Sequence, residues 1–169
     1  MAEATTLAYL AGMIDGDGFV TIVHSTRAGK DYFAPQVGIG NTQRAPLDLA
    51  ASLWGGTVSC HMPKNPKHRP QYQWQRQGAA AMAVIEALYP YLLLKQEHAL
   101  LAMELWEHAQ FAREEDPFPW FSPDYDPIAR MREMREAMIE LNQSRSRARK
   151  YAGRLLDGAQ HDGFPEMAA

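Results

Sequence analysis

The chain has 169 residues, 46% of them hydrophobic and 22% charged, which supports one packed core and excludes collagen-like, wholly disordered and disulfide-scaffold proteins. A single cysteine, Cys60, leaves no intrachain disulfide and no cysteine-based zinc site. Net charge is −3, yet residues 24–76 carry +5, residues 97–140 carry −7 and residues 141–154 carry +5, so a mildly acidic chain has room for a basic face.

The apolar stretch Ala79 to Leu88 contains Glu86 and meets Pro90, well short of the roughly 20 residues a bilayer span needs. Met1 to Thr6 lacks the basic start and apolar core of a signal peptide. The expectation is a soluble, intracellular protein of the cytoplasm, nucleoid or organelle matrix.

In chain order, Thr5 or Thr6 is placed to cap a helix whose apolar residues Leu7, Leu10, Ala11 and Ile14 recur at helical spacing, until Gly16-Asp17-Gly18 stops it. Phe19 to Thr26 reads as a strand, Arg27 to Asp31 as a turn and Tyr32 to Asn41 as a second strand, together a hairpin. Pro46 suits the first turn of a second helix, which Gly55-Gly56 ends. Thr57 to Met62 is a short strand, Pro63 to Pro70 a basic loop, and Gln71 to Gln77 a strand alternating aromatic with glutamine. Gly78 opens an Ala-rich helix that runs to about Tyr89, Pro90 breaks it, and Leu92 to Arg113 reads as a long helix. These elements form the core, residues 1–113. The stretch 114–127, with four prolines and five acids, reads as an irregular arm. Residues 128–154 read as a charged helical extension and 155–169 as a frayed tail.

Leu10-Ala11-Gly12-Met13-Ile14-Asp15-Gly16-Asp17-Gly18 resembles the signature of the LAGLIDADG homing endonuclease family, and the αββαββα order around it, over about residues 5–113, is similar to that family's. The resemblance implies an α+β fold with a four-stranded antiparallel saddle that binds DNA. It further implies that Asp17 and the Gly16 carbonyl bind metal. Leu92-Leu93-Leu94-Lys95-Gln96 resembles the family stretch whose lysine lies near the scissile phosphate, which gives Lys95 a catalytic role. Asn41 falls where the family places a side chain that holds a metal-bound water; as a bare sequence feature it equally suits a turn residue capping the second helix. Arg44 lies one residue from the place of a family arginine. Asp15 reads as a carboxylate that satisfies nearby backbone N–H groups.

Ala8, Ala11 and Gly12 lie three or four apart on the first helix, a face that a second helix could approach closely. The single motif makes half a site, so the expected unit is a C2 homodimer. Two Asp17 carboxylates brought together would repel unless a divalent cation lay between them. Hard oxygen ligands select Mg²⁺, with Mn²⁺ as a substitute and Ca²⁺ binding without supporting cleavage.

Strand alternation points Thr21, Ser25, Arg27, Tyr32 and Gln36 outward from the first hairpin, and Thr57, Ser59, His61, Arg69, Gln71, Gln73 and Gln75 from the second. Gln is a plausible adenine reader, while Lys30, Lys64, Lys67 and Arg69 suit phosphates. The expected activity is a metal-dependent double-strand break in a long pseudo-palindromic DNA site. The alternatives are a non-cleaving nucleic-acid binder, such as a maturase or regulator, and a metal-binding protein with no nucleic-acid role. Arg145, Arg147, Arg149, Lys150 and Arg154 form a second basic cluster, which also suits a solvated helix face.

Overall fold

The computed structural model describes residues 3–65, 67–112 and 125–159. The elements are α1 (Ala4–Asp17), β1 (Gly18–Arg27), β2 (Lys30–Asn41), α2 (Ala45–Trp54), β3 (Ser59–His61), β4 (Gln71–Gln77), α3 (Ala79–Leu88), α4 (Gln96–Phe111) and α5 (Pro127–Ala159). The four strands form one antiparallel sheet in the order β1-β2-β4-β3. The protein is therefore α+β, with the expected αββαββα core order.

One sheet face carries Val20, Ile22, Phe33, Val37, Ile39 and Trp74, all buried, and α1, α3 and α4 supply Leu10, Ile14, Val84, Ile85, Leu88, Ala102 and Leu105 to the same core. Each fully buried Leu, Ile or Val contributes about 1.5–3 kcal/mol, so this layer holds the sheet's shape. Trp74 also donates its indole N–H to Gly55 O at 2.9 Å and lies 6.2 Å from the Trp54 ring. Gly55 (φ 69°) is the left-handed stop of α2, and the indole satisfies its carbonyl.

Several boundaries differ from the sequence expectation, each for a local reason. Neither Thr5 nor Thr6 is the cap of α1: Glu3 holds that position, and its carbonyl takes the N–H groups of Thr6 and Leu7. The first hairpin turns in only two residues, Ala28 (φ 50°) and Gly29 (φ 74°), the double positive φ that fits the twist of the strands; β2 consequently begins at Lys30. Gly55 and Gly56 (φ 91°) keep the chain turning, so β3 is only Ser59–His61 and Thr57 lies outside it. The long helix starts at Gln96, not Leu92, because the N–H groups of Leu93, Leu94 and Lys95 are all taken by Asp15. α5 continues to Ala159, past the expected end near Arg154.

The chain divides within α5, between Met138 and Ile139. Before that point, Met131, Met134 and Met138 form a buried stripe at helical spacing. The backbone of Arg145 to Arg154 is helical, but those side chains and most of the acidic arm lie outside what the structure describes. No helix among the described residues is long and apolar enough to cross a membrane.

At the far end of the first hairpin, Asp31 accepts from His24 Nε2 at 2.8 Å, from Thr26 Oγ1 at 2.9 Å and from Arg132 of α5 at 3.2 Å. The His24 bond first, and then the Thr26 hydroxyl, hold the Asp31 carboxyl below its ordinary value. A carboxylate depressed by folding stabilises the fold above its unfolded pKa, and that contribution is lost as pH falls through the folded value. Melting curves between about pH 5 and about pH 2 are expected to fall more steeply for the wild type than for Asp31→Asn. Parallel curves would show that the bonds to Asp31 contribute nothing to acid stability.

Candidate active site

The site begins with an electrostatic conflict in the sequence. Asp15 and Asp17 occupy the last turn of α1, which contains no basic residue, although a helix C-terminus favours cations. The fold resolves half of it. Asp15 Oδ2 accepts from Leu93 N at 2.8 Å and Leu94 N at 3.0 Å, and Oδ1 accepts from Lys95 N at 2.9 Å. Lys95, only 8% exposed, donates through Nζ to Ile14 O at 2.6 Å and Asp15 O at 2.7 Å. The lysine thus places a cation on the negative end of α1, and Asp15 closes the clamp from the other side. Asp15 is the backbone-satisfying carboxylate that the sequence suggested.

Asp17 is left exposed at the junction with β1. Asn41, at the end of β2, donates from Nδ2 to Asp17 Oδ2 at 2.8 Å, while its own Oδ1 accepts from Gln43 N at 2.8 Å. Asn41 is therefore fixed through both ends of its amide and orients the carboxylate directly. The junction itself needs glycine: a Cβ on Gly18 would lie 2.7 Å from both Gly38 O and Ile14 Cα. Gly38 is equally constrained, since a Cβ there would meet the Phe19 ring and Trp74 O at 2.7 Å.

Among the described residues, no group of three or more His, Cys, Asp or Glu side chains could hold a metal ion. The donors that fit a hard cation are the open Oδ1 of Asp17 and the exposed backbone at Gly16, both oxygen. One protomer offers too few ligands for the 6 or so oxygens that such ions take, so water, substrate or a second copy must complete the set.

Of the three small residues expected at a helix interface, Ala8 and Gly12 are exposed, but Ala11 is fully buried in the protomer's own core. Ala11 lies on the stripe of Leu10 and Ile14, so it packs inward and cannot meet a second copy. The outward row is Ala8, Gly12 and Gly16, with Tyr9 49% exposed beside it, and a Cβ on either glycine would meet nothing within 4 Å.

The other sheet face is polar, and the register confirms the alternation. Ser25 pairs with Tyr32, and Thr21 with Gln36, which pairs in turn with Gln77. Gln75 lies opposite Gly38, Gln73 opposite Gly40 and Ser59, and Gln71 opposite His61. Arg27 and Lys30 flank the tip turn, and Lys64, Lys67 and Arg69 are exposed on the loop after β3. Arg69, Gln71, His61 and His68 border a surface hollow of about 420 Å³ at that end. Arg44 is spent locally: its Nε donates to both oxygens of Asp48, at 3.0 and 3.1 Å. The sequence reading missed Gln77, although it continues the odd-numbered alternation. It also missed Phe19, whose ring covers Gly38.

The fold is shared with solved endonucleases. The homing endonuclease I-CvuI, in complex with its target in the presence of 2 mM Ca, superposes with a TM-score of 0.62 at 17% identity, over 81% of this chain and 82% of its own. The LAGLIDADG homing endonuclease I-GzeII, in complex with a DNA target, gives 0.58 at 13% identity, over 78% of this chain and 44% of that one. The archaeal intron-encoded homing endonuclease I-Vdi141I, complexed with DNA, gives 0.53 at 11% identity, over 84% and 99%. The chain has the fold of the LAGLIDADG homing endonucleases. No family sequence model and no curated protein matches it.

Proposed function

We propose that the protein is a site-specific homing endonuclease that cuts both strands of a long pseudo-palindromic duplex as a homodimer. The observation that carries this is Asp17: an exposed carboxylate, oriented by Asn41, at the end of a polar antiparallel face. Asp17 and the Gly16 carbonyl would hold the divalent cation, Mg²⁺ or Mn²⁺ for cleavage, with Ca²⁺ binding unproductively. Bound there, such an ion supplies water activation and neutralises charge on the phosphoryl oxygens.

The chain's own residues do the rest. Asn41 holds one Asp17 oxygen so that the other stays open. Lys95 places positive charge beside the same helix end. Glutamines 71, 73, 75 and 77 and the residues facing them present amide and hydroxyl groups to major-groove edges, while Arg27, Lys30, Lys64, Lys67 and Arg69 suit backbone phosphates. From Gly18 to Arg27, β1 extends about 30 Å at ~3.3 Å per residue, which corresponds to about nine base pairs at ~3.4 Å each. The exposed row Ala8, Gly12 and Gly16 is where a second α1 could approach, bringing the two Asp17 residues together.

Incubating the protein in Mg²⁺ with a randomised duplex library, and recovering cut ends, tests this. The expected result is double-strand cleavage at one two-fold-related site, with binding that weakens steeply as salt rises. A second reading, a non-cleaving nucleic-acid binder, is favoured by one feature: Lys95 Nζ already serves two α1 carbonyls. Tight, salt-sensitive binding without nicking in Mg²⁺ or Mn²⁺ would decide for it.

A further inference from the structure

β1 and β2 run on past the rest of the sheet. β4 pairs with β2 only over Gln36–Asn41, so Ile22–Arg27 and Lys30–Pro35 pair with each other and with no third strand. A two-stranded ribbon is marginal by itself in water. Its root is secured by Ile22 and Phe33, which are in the core. Further out, the ribbon stands off from α4 and α5 across a surface hollow of about 550 Å³, lined by Lys30, Phe33, Ala109, Ile128 and Met131 among others.

At this outer end apolar packing gives way to a polar strut. Arg132 of α5 donates to Asp31 Oδ2. Asp31 Oδ1 in turn ties together His24 and Thr26 of the opposite strand, and the His24 ring stacks on Phe33 at 4.8 Å. These groups lie on the back of the ribbon, while Ser25, Arg27, Lys30 and Tyr32 lie on its polar front or at its tip.

We propose that Arg132 is a positioning residue for target recognition: its bond to Asp31 sets the pitch of the ribbon and so determines which outer base pairs Ser25 and Tyr32 reach, with Arg27 and Lys30 at the tip placed for the flanking phosphates. This rests on the endonuclease assignment above. Arg132 itself lies behind the reading face, and as an ion pair with its arginine 53% exposed it adds little to global stability. Its loss is therefore expected to change recognition without unfolding the protein.

The test compares wild type, Arg132→Met and Arg132→Lys in selection of bound duplexes from a randomised library, together with hydrogen exchange of the free proteins. Arg132→Met should lose about three- to fivefold of base discrimination at the outer positions alone, about nine base pairs from the cut. Inner positions should keep theirs, amides of residues 24–33 should exchange faster, and Arg132→Lys should restore part of both. Unchanged outer preference in Arg132→Met, or equal loss at every position with a lowered melting temperature, would overturn the proposal. If the wild type selects no sequence at all, the endonuclease assignment fails; ribbon exchange unchanged by Arg132→Met would then separately remove the strut.

Discussion

Asp17→Asn is expected to lower the rate of double-strand cleavage by about a thousandfold or more, on the scale of removing a group that stabilises transition-state charge, while duplex binding persists. Asparagine keeps the size of the side chain and an oxygen for the Asn41 amide, so the geometry of the junction survives. It loses the negative charge that a hard cation requires. The sign on stability is opposite. Asp17 is an exposed acid in the last turn of α1, where negative charge is disfavoured by about 0.3–1 kcal/mol. Thermal melting of the free protein should therefore rise slightly as cleavage disappears. A carboxylate kept at a position that costs stability is what a functional ligand looks like. Full cleavage by Asp17→Asn would remove this residue from the chemistry. Lost cleavage with a lowered melting temperature would instead mean that the substitution had broken the junction.

How much of this was legible in the sequence depends on the range of the interaction. α1 and the first hairpin were readable because their signals are local: Leu10 and Ile14 at helical spacing, then β-branched residues around a Gly-containing turn. The alternation of Gln71 to Gln77 fixed the polar face, because a period of two leaves only two choices. Long-range capture was not readable. Leu92 to Lys95 continue a helical pattern, yet the Leu92 N–H closes the preceding turn on Leu88 and Tyr89, and Asp15, about 80 residues away, takes the N–H groups of Leu93, Leu94 and Lys95 ahead of the helix. Ala11 shows a second limit. Alanine is small enough to suit a helix contact between copies or a close contact within one, and only the packing against the protomer's own core decides. Arg132 and Asp31 are 101 residues apart, and nothing in either local pattern marks them as partners. For the site, the motif singled out Asp17 as the candidate ligand and Asp15 as a carboxylate for backbone N–H groups, the second of which the fold shows, but the direction in which Lys95 points came from the fold alone.

That direction leads to the second large effect. Asp15→Ala is expected to cost about 3 kcal/mol of unfolding free energy, since three backbone N–H groups lose a charged acceptor at once. Lys95→Met should cost about 2–3 kcal/mol, because its buried ammonium satisfies two carbonyls at the negative end of α1. Urea unfolding at constant m-value measures both. The two residues form one clamp, with the backbone of residues 93–95 held by Asp15 and the side chain of Lys95 held by the α1 carbonyls. The double variant should then cost clearly less than the two single losses combined, a coupling of about 1 kcal/mol or more in the range seen for residues in one network. Strict additivity would show two independent bonds. The same variants separate two roles for Lys95 in cleavage. If it acts only by holding the end of α1, Asp15→Ala, which frees residues 93–95 but leaves the ammonium in place, should slow cleavage about as much as Lys95→Met. If its charge also acts on the phosphate, Lys95→Met should be slower than Asp15→Ala by at least about tenfold, the order that general electrostatic stabilisation supplies, despite the smaller loss of stability.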